Sequence, residues 1–150
     1  MSLKEQIDSD IKKAMLSKNK EELTALRAIK SQILLAETEK GKTGEIDKET
    51  ENKLLMKAAK QRKESAEIYK NENREDLYKV EMQELEIISR YLPKQMSPEE
   101  VTEVLRRIVR EVGASGPQDM GKVMGKATKE LAGKADGKVI SEIVKQLLTS

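Results

Sequence analysis

Five lysines in the last third of the chain are spaced in a way that suits binding to a polyanion. Lys122, Lys126 and Lys129 are separated by four and then three residues, which puts them on one side of a helix. Lys134 and Lys138 follow shortly after. A row of ammonium groups favours a partner with negative charge, and the RNA phosphate backbone is such a partner. These lysines are therefore the candidate RNA-binding residues.

A strip of very small residues lies beside the lysine row. On a helical wheel, Gly121 and Gly125 fall between the lysines and an apolar face formed by Met120, Met124, Ala127 and Leu131. A surface without side chains lets the backbone of another molecule approach closely, so both glycines join the candidate RNA-binding residues. The same spacing also lets two helices of one protein pack together, and a lysine row is also typical of a solvated face. Both interpretations stay open.

The segment from Gly116 to Val123 resembles a nucleotide-binding phosphate loop only in part. The eighth position of that motif needs Ser or Thr to hold magnesium, and here it is Val123. No strand pattern precedes the segment either. The sequence therefore does not favour nucleotide binding there.

The amino-acid composition excludes several common kinds of catalytic site. The chain has no Cys and no His, which excludes thiol nucleophiles, histidine bases and zinc knuckles. Its carboxylates are numerous but not clustered, so we predict no catalytic residue, no metal and no cofactor. The aromatic residues are Tyr69, Tyr78 and Tyr91 alone. RNA would therefore be contacted through its backbone and shape rather than by base stacking.

The overall composition predicts a folded, highly charged helical protein. Of 150 residues, 37% are apolar and 37% are charged, and the charges nearly cancel to a net +2. No apolar run approaches the length of a membrane span, and the first 17 residues do not form a signal-peptide pattern. These features and the absence of cysteine lead us to expect a cytoplasmic protein without membrane contact.

Arg62 is the one charge that the pattern places on an apolar stripe. A long helix is predicted from about residue 47 to residue 71, and Arg62 lies on its inward seam. A lone charge there is costly, so an acid must face it. A hairpin that folds back at about residue 73 brings Glu84, or failing that Glu81, opposite Arg62, and we predict a structural ion pair.

An alternative makes the same arginine part of a surface patch. In that interpretation Lys60, Arg62 and Lys63 together contact RNA.

Capping signals and prolines divide the chain into two helical domains. Capping residues begin helices at Ser2, Asn19, Asn73 and Ser97, and glycines end helices at Gly41 and Gly113. The connection at residues 40–46 is polar. Pro93 and Pro98 mark a boundary between helices. The prediction is an all-α fold: an N-terminal helical domain, residues 1–93, with a long antiparallel hairpin, and a small C-terminal three-helix domain, residues 97–150.

Several motifs resemble those of a known family. The chain is similar to the GatB/YqeY family, and its last part resembles the tail domain of GatB, a component of the aspartyl/glutamyl-tRNA amidotransferase. The motifs are Gly121-Lys-Val-Met-Gly, Gly133-Lys-Ala-Asp-Gly-Lys, Lys60-Gln-Arg-Lys-Glu-Ser, Arg74-Glu-Asp-Leu, Glu84-Leu-Glu-Ile and Tyr91-Leu-Pro. The resemblance implies a helical tail that holds tRNA. Nothing in the chain resembles the catalytic domain of that enzyme.

Three functions follow as hypotheses. The first is a non-catalytic, tRNA-binding or amidotransferase-related accessory protein whose C-terminal domain contacts the RNA backbone. The second is a protein-protein adaptor in which the glycine strip faces a partner helix. The third, a carbon-nitrogen ligase with glutamine as amido donor, has the least support because the catalytic domain is missing.

Overall fold

The chain folds into helices, and the computed structural model describes residues 2–39 and 46–149. Within those residues there is no β-strand, which confirms the all-α prediction. The helices are α1 Leu3–Ser17, α2 Lys20–Thr38, α3 Lys48–Asn71, α4 Glu75–Ser89, α5 Pro98–Val112, α6 Met120–Glu130 and α7 Gly137–Thr149. No described helix is both long and apolar enough to cross a membrane.

Most of the helices begin directly after a residue whose side chain caps the helix. The side chains of Ser2, Asn19 and Asp47 accept hydrogen bonds from backbone N–H groups at the starts of α1, α2 and α3. Ser97 and Glu100 form a reciprocal capping box at α5, with Oγ accepting from the Glu100 N–H at 3.2 Å. Such caps satisfy donors that the first helical turn leaves unpaired.

The chain divides into two compact units, Met1–Leu92 and Pro93–Ser150, here called the N-terminal unit and the C-terminal unit. In the N-terminal unit, α3 and α4 form an antiparallel hairpin, α2 packs against both of them, and α1 packs against α2. Burial of apolar side chains is the main stabilising contribution. The buried core consists of Leu3, Ile7, Ala14, Ala25, Leu26, Ile29, Ile33, Leu55, Ala58, Ala59, Ile87 and Ile88.

One acid is buried in this unit and completes the start of α1. Glu51 is only 6% exposed, and its Oε1 accepts a hydrogen bond from the Leu3 N–H at 3.3 Å. A carboxylate is well placed there because the N-terminus of a helix carries unpaired donors and a partial positive charge. The sequence pattern did not reveal this contact, which joins residues far apart in the chain.

The hairpin turn differs in detail from the prediction. Asn73 adopts a left-handed backbone conformation with φ 58°, so it forms the turn rather than capping the next helix. Asn tolerates this conformation better than most residues. Helix α4 therefore begins at Glu75 with no side-chain cap.

In the C-terminal unit, three short helices enclose a separate core. Helix α5 ends at Gly113, whose φ of 67° suits glycine, and a single 3-10 turn at Pro117–Asp119 leads into α6. Buried side chains from all three helices meet in the centre. They are Val101, Leu105, Ile108, Val123, Ala127, Leu131, Ile140, Val144 and Leu148.

The inward face of α6 is rotated relative to the predicted one. Val123 is fully buried, whereas Met120 and Met124 are only partly buried at the edge of the core. The wheel places all these residues close together, and only the position of α5 and α7 decides which of them is central. The helix stop predicted at Gly41 lies outside the described residues, as does the polar connection predicted at residues 40–46 except for Ile46, which packs against the core of the N-terminal unit.

Candidate nucleic-acid interface

Helix α6 presents an open surface at Gly121 and Gly125, here called the glycine shoulder. Both glycines are exposed, and a Cβ atom added to either would meet no neighbouring atom within 4 Å. No other described helix therefore packs against the shoulder. Close packing within the chain, which was one of the two interpretations of these glycines, does not account for them.

The glycine at position 125 carries a cost in stability. Gly125 is in the interior of the eleven-residue helix α6, where glycine is less favourable than alanine by about 1 kcal/mol. Gly121 lies in the first turn, where the cost is smaller. Among the residues that the structure describes, none approaches a Cβ built at either position within 4 Å, so no such close contact offsets the cost.

The five candidate lysines fall into two groups by their ion pairs. Lys122 Nζ is 3.9 Å from Asp119 Oδ1, and Lys126 is paired with Glu111. Lys129, Lys134 and Lys138 are exposed, and no ion pair involves them in the part of the chain that the structure describes. The first three lysines belong to α6, Lys134 lies in the connection to α7, and Lys138 is the second residue of α7.

Hydrogen bonds fix the backbone of the connection that carries Lys134. The Met96 N–H donates to the Lys134 carbonyl oxygen at 2.9 Å, and Gln95 Nε2 donates to the Gly133 carbonyl oxygen at 2.6 Å. Gly133 has a φ of 78°, which favours glycine. The segment that precedes α5 thus holds the α6–α7 connection in place and orders the backbone of Lys134.

Asp119 positions the start of α6. Its Oδ2 accepts a hydrogen bond from the Ser115 N–H at 2.9 Å, and this bond is the main cause that lowers the pKa of Asp119. The carboxylate is therefore engaged by the loop before α6. Its pairing with Lys122 is long and leaves that lysine 69% exposed.

Four charged residues form a cluster that the sequence pattern did not reveal. Arg107 Nη1 is 3.0 Å from Glu111 Oε1, and Arg107 also pairs with Glu130. Glu111 in turn pairs with Lys126. We call Glu130, Arg107, Glu111 and Lys126 the charge quartet. The spacing of Arg107 and Glu111 is the only signal that sequence offered, because residues four apart are neighbours on a helix.

The quartet perturbs the protonation of its members. Hydrogen bonds from Lys126 and then Arg107 lower the pKa of Glu111 below its usual value. Hydrogen bonds to Glu130 and Glu111 raise the pKa of Arg107. Both shifts favour the charged forms of Glu111 and Arg107, and the formal charges of the two acids and two bases in the quartet cancel.

Arg62 lies between α3 and α4 and faces two acids. Its Nη1 is 3.0 Å from Glu84 Oε2, which accepts a hydrogen bond, and also 3.0 Å from Glu81 Oε2. The Arg62 side chain is 31% exposed. Because both carboxylates engage this guanidinium, the geometry does not favour a surface RNA patch formed with Lys60 and Lys63.

Two acids share one arginine, and this leaves Glu81 poorly compensated. Burial is the main cause that raises the pKa of Glu81, and neighbouring Glu84 adds to it, while Arg62 acts in the opposite direction. A raised pKa means that the folded state holds the proton more firmly than the unfolded state. Ionisation of Glu81 therefore costs stability as pH rises through and above about 4.5, the usual value for glutamate.

We predict that Glu81→Gln is at least as stable as the parent at pH 7. The amide removes a buried charge while Glu84 continues to compensate Arg62. At a pH below about 4, where glutamate is protonated in both states, the advantage should disappear. Urea denaturation followed by circular dichroism at the two pH values measures the difference. A variant clearly less stable than the parent at pH 7 would show that Glu81 is a required partner of Arg62.

The described residues offer no evident metal site. Within residues 2–39 and 46–149, no three or more acidic side chains are grouped so that they could hold a metal ion.

Fold and site together define an all-helical protein whose C-terminal unit carries an open glycine shoulder bordered by lysines. The family model described as "Yqey-like protein" matches residues 4–148. The chain therefore belongs to the YqeY-like family, which confirms the YqeY part of the resemblance drawn from its motifs, while the likeness of its last part to the GatB tail domain stays a prediction.

Three curated fungal relatives carry the same name, "Altered inheritance of mitochondria protein 41, mitochondrial". The protein from Clavispora lusitaniae is 37% identical over 71% of this chain and 62% of its own length. The protein from Pyrenophora tritici-repentis is 28% identical over 95% of this chain and 78% of its own length. The protein from Meyerozyma guilliermondii is 35% identical over 77% of this chain and 61% of its own length. The chain thus spans less than two thirds of two of these relatives.

These names contradict the predicted cytoplasmic location. All three relatives are named as mitochondrial proteins, so the cytoplasmic assignment is wrong by this comparison. The prediction relied on the absence of cysteine together with the lack of a membrane-length apolar run and of a signal-peptide pattern in the first 17 residues, and the absence of cysteine chose the reducing compartment. That feature excludes disulfides but does not distinguish one reducing compartment from another.

Proposed function

We propose that this protein is a non-catalytic RNA-binding accessory protein that contacts the backbone of tRNA through its C-terminal unit. The observation that carries the proposal is the open glycine shoulder on α6, at which no other part of the described chain packs. Exposed lysines on the same helix and just beyond it supply the positive charge. Close approach and positive charge are the two requirements for backbone recognition.

The residue content of the C-terminal unit supports backbone contact over base reading. Residues 93–150 contain no aromatic side chain. Recognition of unstacked bases usually relies on aromatic platforms, whereas helical RNA is recognised through phosphates and shape. The helical arms of tRNA present such a backbone.

The electrostatic attraction must be local. Residues 93–150 contain ten Lys and Arg against eight Asp and Glu, so the unit as a whole is nearly neutral. A weak overall field gives little long-range steering. Binding should therefore depend strongly on the few lysines beside the shoulder and on the salt concentration.

Salt dependence tests the proposal directly. If the four candidate lysines other than Lys126 neutralise about four phosphates, the logarithm of affinity for tRNA should fall against the logarithm of salt with a slope of about −3.6. Fluorescence titration of unfractionated tRNA between about 50 and 200 mM salt measures the slope. An affinity that does not change with salt would contradict phosphate contact.

Charge reversal locates the contact. We expect the triple variant Lys122→Glu, Lys126→Glu and Lys129→Glu to lose measurable tRNA binding, since each change replaces an attraction with a repulsion. A matched control reverses three exposed lysines of the N-terminal unit, Lys12, Lys13 and Lys20. Both variants must retain the parent's circular dichroism. Equal loss in the two variants would indicate a general charge effect and not a site.

The glycine shoulder also fits a second candidate, a protein-protein adaptor. Small residues four apart accommodate a partner helix, and the partly buried Met120 and Met124 could border it. The pairing of Lys126 with Glu111 favours this candidate, because a paired lysine offers less attraction to phosphate. A partner retained after nuclease treatment, and lost in a Gly125→Leu variant, would favour the adaptor over RNA binding.

Ligase activity has no support from the described site. Glutamine-dependent amide transfer by the purified protein alone would establish it, and we expect none because no residue of the chain resembles the catalytic domain of the amidotransferase.

A further inference from the structure

The geometry of the charge quartet points to a role for Glu111 in the proposed RNA interface, and this inference rests on that proposed function. We propose that Glu111 is an internal competitor for phosphate at Lys126, and that it limits the affinity of the interface for RNA. The Glu111 carboxylate forms an ion pair with the ammonium group of Lys126, the middle lysine of the row on α6. A phosphate must displace the carboxylate before it can use that lysine.

The contact is formed between two helices and not within one. Glu111 belongs to the last turn of α5, and Lys126 is in the interior of α6. The packing of the two helices therefore holds the carboxylate beside the lysine row. The carboxylate that pairs with Lys126 thus comes from α5 and not from a neighbouring residue of α6.

The exchange of carboxylate for phosphate is feasible because the contact is exposed. The side chains of Lys126 and Glu111 are 41% and 39% exposed, and ion pairs at such positions contribute little to stability. The lysine can therefore turn to another acceptor without disturbing the core.

Arg107 keeps Glu111 compensated during the exchange. Its Nη1 lies 3.0 Å from Glu111 Oε1, a contact that does not involve Lys126. When phosphate takes the ammonium group, the carboxylate keeps its arginine partner. The quartet thus stabilises both arrangements of Glu111, with and without Lys126.

The charge balance explains the expected effect on affinity. Two acids and two bases of the quartet cancel, so Lys126 adds no net charge to the interface while Glu111 is ionised. Removal of the Glu111 charge leaves the quartet with one positive charge in excess. Lys126 then becomes one more group that can contact phosphate.

The variant Glu111→Gln tests the inference. We expect its affinity for tRNA to rise about two- to fivefold, the effect of gaining one exposed ionic contact. Its salt slope should become steeper by about 0.9, because one more phosphate is neutralised. Glu103→Gln is the matched control: Glu103 is also an acid of α5, paired with Arg106 at 2.8 Å and not with a candidate lysine. The control should leave both quantities unchanged.

A double-mutant cycle separates competition from a general gain in charge. In a Lys126→Gln background, Glu111→Gln should no longer raise the affinity, because the lysine it releases is absent. A gain that persists in that background would overturn the inference, and so would a gain of equal size in Glu103→Gln. Glu111→Ala repeats the measurement with a second side chain, and thermal unfolding checks that each variant is folded.

The outcomes distinguish this inference from the proposed function. A parent protein that binds no tRNA even at low salt overturns both. A parent that binds with the expected salt slope, while Glu111→Gln binds with unchanged affinity, overturns the inference alone.

Discussion

Replacement of Gly125 by leucine is expected to weaken tRNA binding at least tenfold and to leave the C-terminal unit folded and slightly more stable. Leucine is more favourable than glycine inside a helix by close to 1 kcal/mol, and a Cβ at this position meets no atom within 4 Å. The same side chain would occupy the space through which an RNA backbone approaches α6. Stability and binding should therefore change in opposite directions, which is rarely seen for a residue with a merely structural role.

Two measurements test whether stability and tRNA affinity change in opposite directions. Hydrogen exchange of α6 amides reports the stability of the C-terminal unit, which has no aromatic residue to serve as an optical probe. Titration with tRNA reports affinity. Gly125→Ala should give the gain in stability with a smaller loss of binding. Thr149→Leu adds an apolar side chain at an exposed position in the last turn of α7 and should leave the affinity unchanged.

Other results would redirect the interpretation of the shoulder. If Gly125→Leu binds tRNA as well as the parent does, the shoulder is not the RNA contact. If it keeps tRNA but loses a protein partner, the shoulder serves the adaptor function. A marked fall in stability would show that the shoulder is closed in solution.

Replacement of Arg62 by alanine is expected to lower the free energy of unfolding by about 2–4 kcal/mol at pH 7. Two carboxylates, Glu81 and Glu84, lie 3.0 Å from Arg62 Nη1, and their side chains are only 13% and 21% exposed. Without the arginine, two like charges would face each other in a poorly hydrated hairpin. Urea denaturation followed by circular dichroism measures the loss.

The loss should depend on pH in a defined direction. Burial raises the pKa of Glu81 above its usual value, so this carboxyl takes up a proton as pH falls and its repulsion with Glu84 disappears. The difference between Arg62→Ala and the parent should therefore shrink as pH falls from 7 to 4. Arg74→Ala removes another arginine of the same hairpin, but its partner Asp76 is 68% exposed, so we expect little change in stability at either pH. Equal losses in the two variants would contradict the role of Arg62.

Local signals in the sequence were sufficient for most of the helix ends and for one tertiary contact. Capping residues such as Ser97 and terminators such as Gly113 act within one turn of the helix, so their positions can be predicted without knowing the fold. Arg62 and Glu84 could be matched because a short turn leaves a hairpin almost no freedom of register. The family could be inferred from motifs spread along nearly the whole chain.

Contacts between helices that are not joined by a tight turn escaped prediction. Glu51 caps α1 from another helix, and Glu111 reaches Lys126 from α5 across to α6. Helix packing angles decide such pairs, and the periodicity of one helix carries no information about the orientation of the next. For the same reason the wheel could not choose between Val123 and the neighbouring methionines as the buried residues of α6.

By itself, the sequence determined that this protein is all-helical, that Arg62 needs an acid across its hairpin, and that α6 carries lysines beside bare glycines. These features depend on interactions between residues close in the chain or on the cost of burying a charge. Only the tertiary structure decided that the glycine shoulder stays open and that Glu111 occupies one of its lysines. The open shoulder and the ion pair both depend on the positions of the neighbouring helices, and the packing of the whole C-terminal core sets those positions.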